Sequence, residues 1–234
     1  NYNRAGVPLI EIVSCPDMHT KEEAMKYLER LRETLLYAGV SDCKIEEGSM
    51  RADVNISISD DDTLGVRAEI KNIGSISNVG LAIDYEIKRQ EQILESGGVI
   101  EEETRKFDST TNTTILMRKK ETGNDYRYFP EPDIPYLELS DDMICSVKES
   151  IVLLPDERRK IYLERNILPI NVEKLINNKD LSDYLNSFIK TNIDFKIASN
   201  LLLTDISSYL NKNRLSIFDT KLSYDKFIEL VTLL

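Results

Sequence analysis

Residues 50–58 read MRADVNISI and residues 65–73 read GVRAEIKNI, with the polar loop SDDDTLG (59–65) between them. Alternate residues of a strand share a face, so Arg51, Asp53 and Asn55 fall on one side of the first run. Ala52, Val54, Ile56 and Ile58 fall on the other. In the second run Arg67, Glu69 and Lys71 oppose Val66, Ala68 and Ile70. Two runs of period two around a turn-forming loop predict a β-hairpin with one core face and one polar face. The polar face admits two readings. Rigid carboxylates can hold Mg²⁺ while nearby Arg and Lys bind phosphate. A solvated antiparallel sheet with cross-strand ion pairs has the same pattern.

Outward from the hairpin the periods alternate. Residues 6–14, GVPLIEIVS, read as a buried strand rich in β-branched residues, with Glu11 set between Ile10 and Ile12. A carboxylate there either faces a polar cleft or is paired. Residues 19–39 predict a helix: Thr20 and Glu23 have capping-box spacing, Ala24, Tyr27, Leu28, Leu31 and Leu35 form the apolar stripe, and Gly39 is the stop. A second amphipathic helix is expected over about 78–95, with Val79, Ala82, Ile83, Ile87 and Leu94 on one side and Gly97 and Gly98 at its end. VIEEETRKFD and TTILMRKKE predict a second hairpin about the turn STTN.

After Leu139 the strand patterns stop, and LPDERRKIYLERN, NVEKLIN, DLSDYLNSFIK, DFKIASNLLLTDISSYLNKN and SYDKFIELVTLL are all helical in pattern, with Pro155 and Asp156 as start residues. The expected fold class is therefore α+β, a largely antiparallel sheet with helices, followed by an all-α domain. The expected domains are 1–145, 146–218 and the beginning of another over 219–234. The chain opens and closes inside patterned runs, so it is expected to belong to something longer.

The bulk properties exclude several classes. The 234 residues carry a formal charge of −11, with 18 Lys and Arg against 30 Asp and Glu over residues 1–150, and 12 against 11 over 151–234. Such an acidic sheet region is a poor free binder of nucleic acid. No apolar run approaches the ~18 residues of a membrane helix. Cys15, Cys43 and Cys145 are odd in number and lack CxxC spacing, which points away from a disulfide framework or zinc site and towards a reducing cytoplasm. The single histidine, His19, precedes a helix start as a surface residue would, and one histidine excludes a His-rich metal site. Neither GxxxxGK[ST] nor GxGxxG is present. The run RRK at 158–160 suits a solvated helix face better than an RNA contact.

Four blocks, NRAGVPLIEIVSCPD, GVSDCKIEEGSMRADVNISI, AEIKNI and DYRYFPEPDIP, together resemble the B-subunit family of the aspartyl/glutamyl-tRNA amidotransferases in order and spacing. The resemblance covers the α+β part and continues more weakly through LPDERR, ASNLLL and YLNKN. It implies a catalytic region similar in fold to glutamine synthetase, here incomplete, that uses ATP and Mg²⁺. The implied reaction phosphorylates the side-chain carboxylate of Glu or Asp misacylated on the glutamine or asparagine tRNA. Ammonia from a partner glutaminase then displaces phosphate. The implied partners are the A-type amidase (glutaminase) and the small C-type protein of a heterotrimer, with misacylated tRNA as substrate. Because Leu139 runs directly into helices, the B type is favoured over the archaeal relative, which carries an inserted domain there.

Carried over by motif, the resemblance assigns Glu11, Glu47 and Asp53 to the Mg²⁺ neighbourhood. It assigns Arg51, Lys71 and Arg127 to phosphate or developing charge, and Ser49, Asn55, Asn72 and Glu131 to the pocket. One departure is Cys15: the family usually has SEPD where this chain has SCPD, so a carboxylate at that position is dispensable. The family's preceding segment normally adds His and Glu residues to the metal site, so these residues alone are expected to be inactive.

Overall fold

The computed structural model describes residues 7–61, 63–119, 132–133 and 135–234. The chain divides into two units, one of Asn1–Leu31 with Cys43–Phe129 and one of Arg32–Asp42 with Pro130–Leu234. Helix α1 (Lys21–Tyr37) starts on the expected capping box. The Glu23 N–H donates to Thr20 Oγ1 at 3.2 Å, and Glu23 Oε2 accepts from the Thr20 N–H at 3.1 Å. Its end is set by Gly39, whose φ of +68° is left-handed and costs glycine nothing.

In the first unit, strands β1 (Val54–Ile56), β2 (Ala68–Lys71), β3 (Glu103–Asp108) and β4 (Thr113–Lys119) form one sheet in the order β1-β2-β3-β4. Both expected hairpins are present, β1 against β2 and β3 against β4, each antiparallel. The pairing that joins them, β2 with β3, is parallel. A parallel pair needs a long crossover, and α2 (Ile76–Glu95) supplies it. The sheet is therefore mixed, and the fold is α and β with a βαβ link at its centre.

Helix α2 lies on the core face. Ile56, Ile70, Ile73, Val79, Ala82, Ile83 and Phe107 form the buried cluster, with Ala24 and Leu28 of α1 against it. A Cβ on Gly80 would stand 2.6 Å from Met25 Sδ, so the flexible Met25 side chain of α1 packs against α2 in the space that glycine leaves. Leu94, expected on the buried stripe, is exposed. Residues 7–15 form no strand, and their apolar side chains are exposed, with Ile10 at 67%. Lacking any described partner strand, this run keeps its β-prone composition without a ladder to join.

Every described element of the second unit is helical: α3 (Asp141–Ser150), α4 (Pro155–Glu164), α5 (Pro169–Ile176), α6 (Lys179–Asn186), α7 (Phe195–Leu201), α8 (Ser207–Asn213) and α9 (Tyr224–Leu233), with a π-turn between α7 and α8. Leu175, Leu181, Leu185, Phe195 and Leu202 form its core, and Phe227 and Val231 of α9 belong to the same cluster. Tyr184, Phe188 and Phe227 pack as edge-on and tilted rings with centroids 5.1–5.4 Å apart. No helix among the described residues is long and apolar enough to cross a membrane.

The basic run 158–160 is not the solvated face expected of it: Arg158 and Arg159 are buried and only Lys160 is exposed. Arg158 is 1% exposed. It donates to Leu153 O and Ser182 Oγ, meets Asp183 at 2.7 Å and lies over the Tyr37 ring. Arg159 is gripped by Glu173, Glu33 and Asp156. Burial works against the Arg159 charge, but its hydrogen bonds to Glu173 and Glu33 outweigh that and raise its pKa. Two of the three cations hold helices together.

Candidate functional site

The polar face of the sheet is built by register. Asn55 stands opposite Glu69 across β1 and β2, and Glu69 stands beside Thr104 across β2 and β3. Asp53 precedes β1 and reaches the end of β2, where Lys71 donates to its Oδ2 at 2.6 Å. Lys71 Nζ also lies 3.0 Å from Glu69 Oε1. Glu69 Oε2 in turn accepts from Thr104 Oγ1 at 3.0 Å. The result is a continuous chain, Thr104–Glu69–Lys71–Asp53, from β3 across β2 to the residue just ahead of β1. The Lys71 ammonium is held above the ordinary lysine range, first by its hydrogen bond to Asp53, with burial opposing and Glu69 adding to the rise.

Exposure grades along this chain. The Thr104 residue is 1% exposed, while the side chains of Glu69, Lys71 and Asp53 are 17%, 31% and 46% exposed. The Thr104 end is buried and the Asp53 end faces solvent. Asn72 follows Lys71 directly with φ of +62°. Asn tolerates the left-handed region better than most residues, so it suits the sharp exit of the chain from β2.

The remaining candidates sit in the approach to β1. Ser49 closes the turn 44–49: its Oγ accepts from the Lys44 N–H at 2.9 Å and donates to Lys44 O at 3.2 Å. Glu47 pairs with Lys44 at 2.8 Å and is otherwise exposed. Arg51 is exposed just after this turn, and Glu11 is exposed within 7–15. Arg67, from the same expected face, leaves the cluster to pair with Glu102 at 3.1 Å. Glu11, Glu47 and Asp53 are not gathered: among the described residues no three His, Cys, Asp or Glu side chains stand together as metal ligands. Arg127 and Glu131 lie outside the described residues, as does most of DYRYFPEPD.

Two features escaped the sequence reading. Glu69 was legible as a polar-face residue but carried no site assignment, and Thr104 belonged to a different predicted hairpin. Their contact exists only because β2 and β3 pair in parallel. Beneath the sheet, on the α2 side, is a second ionic group. Glu86 is fully buried and accepts from Arg89, Gln90 and Thr114. Glu103 meets Arg89 at 2.7 Å and Arg105 at 2.9 Å. The signal was available in part, because Glu86 and Gln90 continue the stripe of Val79, Ala82 and Ile83 at helical spacing.

Residues 1–145 match the family model described as the GatB/GatE catalytic domain, and the whole polar-face cluster falls inside that match. Among characterised relatives, the chain is 46% identical over 237 residues to the B subunit of the aspartyl/glutamyl-tRNA(Asn/Gln) amidotransferase of Bacillus licheniformis, covering all of this chain and 50% of the relative. It is 45% identical to the B subunit of the same enzyme from Ligilactobacillus salivarius, with the same coverage, and 47% identical over 226 residues to that of Lactiplantibacillus plantarum, covering 95% of this chain and 48% of the relative. The chain spans about half the length of these relatives. A family match over residues 1–145, together with relatives 45–47% identical across nearly the whole chain, makes the chain a member of the GatB/GatE catalytic domain family.

Proposed function

We propose that this chain is part of the B subunit of a tRNA-dependent amidotransferase, and that its sheet belongs to the ATP-using, glutamine-synthetase-like catalytic region. The observation that carries the reading is the Asp53–Lys71–Glu69 cluster on the polar sheet face, inside the stretch that matches the family. The proposed substrate is Glu or Asp misacylated on the glutamine or asparagine tRNA. A carboxylate resists ammonia because its carbon is shielded by negative charge. Transfer of the terminal phosphoryl group of ATP to one carboxylate oxygen converts that oxygen into a leaving group. Ammonia then forms the amide and phosphate departs. Proposed partners are an A-type glutaminase, which supplies the ammonia, and a small C-type protein, in a cytoplasmic heterotrimer.

The donor set suits Mg²⁺ and phosphate. Mg²⁺ keeps much of its water and usually takes one or two carboxylates together with phosphate oxygens. Asp53 and Glu69 already converge on one cation, the Lys71 ammonium. Asp53, the more exposed of the two, would hold the metal, with Glu47 and Glu11 proposed for its neighbourhood. A metal there would supply charge neutralisation to the phosphates. Lys71, Arg51 and Arg127 are proposed to steady phosphoryl oxygens, work that needs placed charge and no covalent nucleophile. Ser49, Asn55, Asn72 and Glu131 are proposed to line the pocket. An acyl phosphate is prone to hydrolysis, so the site must be sheltered from water when it works.

The test is Asp53→Asn in the complete complex. The expected result is loss of tRNA-dependent ATP hydrolysis, with glutamine hydrolysis by the partner still measurable. Unchanged ATP turnover would contradict the reading. Omitting tRNA is the second arm: turnover of free glutamate without tRNA would place the activity with enzymes of free amino acids instead.

A further inference from the structure

We propose that Glu69, held by the buried hydroxyl of Thr104, is the positioning residue that fixes Lys71 on the sheet face when Asp53 is engaged elsewhere. The inference rests on the catalytic reading of Lys71 and adds to it two residues on neighbouring strands. Lys71 has two carboxylate acceptors of unequal standing. Asp53 is half exposed and lies ahead of β1, outside the ladder. Glu69 is on β2 itself, two residues from Lys71 on the same face, and its side chain is 17% exposed.

A lysine side chain has four rotatable bonds, so one exposed partner does not define where its charge sits. The second contact does. Glu69 Oε1 takes Lys71 at 3.0 Å while Oε2 takes Thr104 Oγ1 at 3.0 Å. A carboxylate held at both oxygens cannot swing about its last bond without losing one of them. Thr104 is nearly fully buried, and its backbone pairs in regular parallel register with Glu69 of β2, while on the β4 side the register shifts between Thr104 and Arg105. The β2–β3 pairing therefore sets Thr104 beside Glu69, and the two hydrogen-bonded oxygens of Glu69 carry that placement to the ammonium. When Asp53 turns to a cation, Lys71 keeps Glu69 and remains aimed at the same point. Glu69 and Thr104 touch no substrate in this account.

The experiment compares Thr104→Val, Thr104→Ser and Glu69→Gln with Lys71→Ala in the full-length protein within its complex, measuring tRNA-dependent ATP turnover and thermal unfolding of each. Val preserves volume and strand preference but removes the hydroxyl; Ser preserves the hydroxyl but loses the methyl. A packing role ranks Val above Ser in both measurements. A positioning role ranks Ser above Val in turnover while Val stays the more stable. The expected loss for Thr104→Val is about tenfold in kcat, the low end for a hydrogen bond to a charged group. Adding Thr104→Val to Glu69→Gln should cost much less than the single change does, because both act through Glu69. Should Thr104→Val fail to fold, Glu69→Gln carries the test alone: unaltered turnover in a folded Glu69→Gln protein would overturn the inference. If Lys71→Ala abolishes turnover while Thr104→Val and Glu69→Gln leave it intact, positioning is wrong and the catalytic reading stands. If Lys71→Ala is itself without effect, the catalytic reading fails and the inference falls with it.

Discussion

Glu86 shows how much of this sheet's stability is held in a few polar atoms. The residue is fully buried, yet its two oxygens accept from Arg89, Gln90 and Thr114, and Arg105 lies 3.6 Å away. Removing one partner of a buried ionic group leaves the others charged and unsolvated, at a cost of about 3–5 kcal/mol. Glu86→Ala is therefore expected to lower the unfolding free energy of the sheet unit by about 3 kcal/mol. Urea denaturation followed through the α2 amide signals checks this, and a change below ~1 kcal/mol would contradict it. At this scale the sequence was half legible. Asp53 and Lys71 could be placed on one face because strand period is local information. Glu86 could be placed on the α2 stripe, but not paired, because Glu103 and Arg105 lie on a strand whose position relative to α2 no local pattern encodes.

The elements that could be read in advance are those whose signals lie within a few residues. The α1 capping box, the Gly39 stop, both hairpins and the helical run after Leu139 are of this kind. The parallel pairing of β2 with β3 was not legible, because it depends on where α2 returns the chain. Residues 7–15 mislead for the complementary reason: a strand is a property of a pair, and composition alone does not supply the partner. Helix α2 offers a test of its own beginning. The Ser75 hydroxyl accepts from the Asn78 N–H at 3.1 Å, and no acidic residue stands in the first turn to assist. Ser75→Ala is expected to cost about 1 kcal/mol. Its mark would be faster hydrogen exchange confined to the first-turn amides of α2. Protection unchanged there would show that tertiary packing alone fixes the helix start.

Over the whole molecule, charge and burial divide the labour between the units. The helical unit carries aromatic residues whose ionisation reports its integrity. Burial pushes the Tyr37 and Tyr184 phenols up to about 12. A phenol whose folded pKa is raised favours the folded state fully below its unfolded pKa of about 10 and loses that contribution as pH rises towards 12. Alkaline titration should therefore show these tyrosines ionising late, together with loss of helix by circular dichroism. Phenolate absorbance completing near pH 10 with helices intact would contradict their burial. In the sheet unit, acidic and basic groups are instead assembled on a face that the family match covers, and there the proposed phosphoryl transfer can be followed chemically. If a carboxylate oxygen of the misacylated amino acid becomes the bridging oxygen of an acyl phosphate, it must leave with phosphate when ammonia forms the amide. Tracing ¹⁸O from side-chain-labelled, misacylated tRNA into inorganic phosphate, in wild type and in Asp53→Asn, is the most direct measurement. The account predicts one labelled oxygen in phosphate for each amide formed by the wild type, and loss of both phosphate label and amide in Asp53→Asn. Unlabelled phosphate from the wild type, or label transfer undiminished in Asp53→Asn, would contradict it.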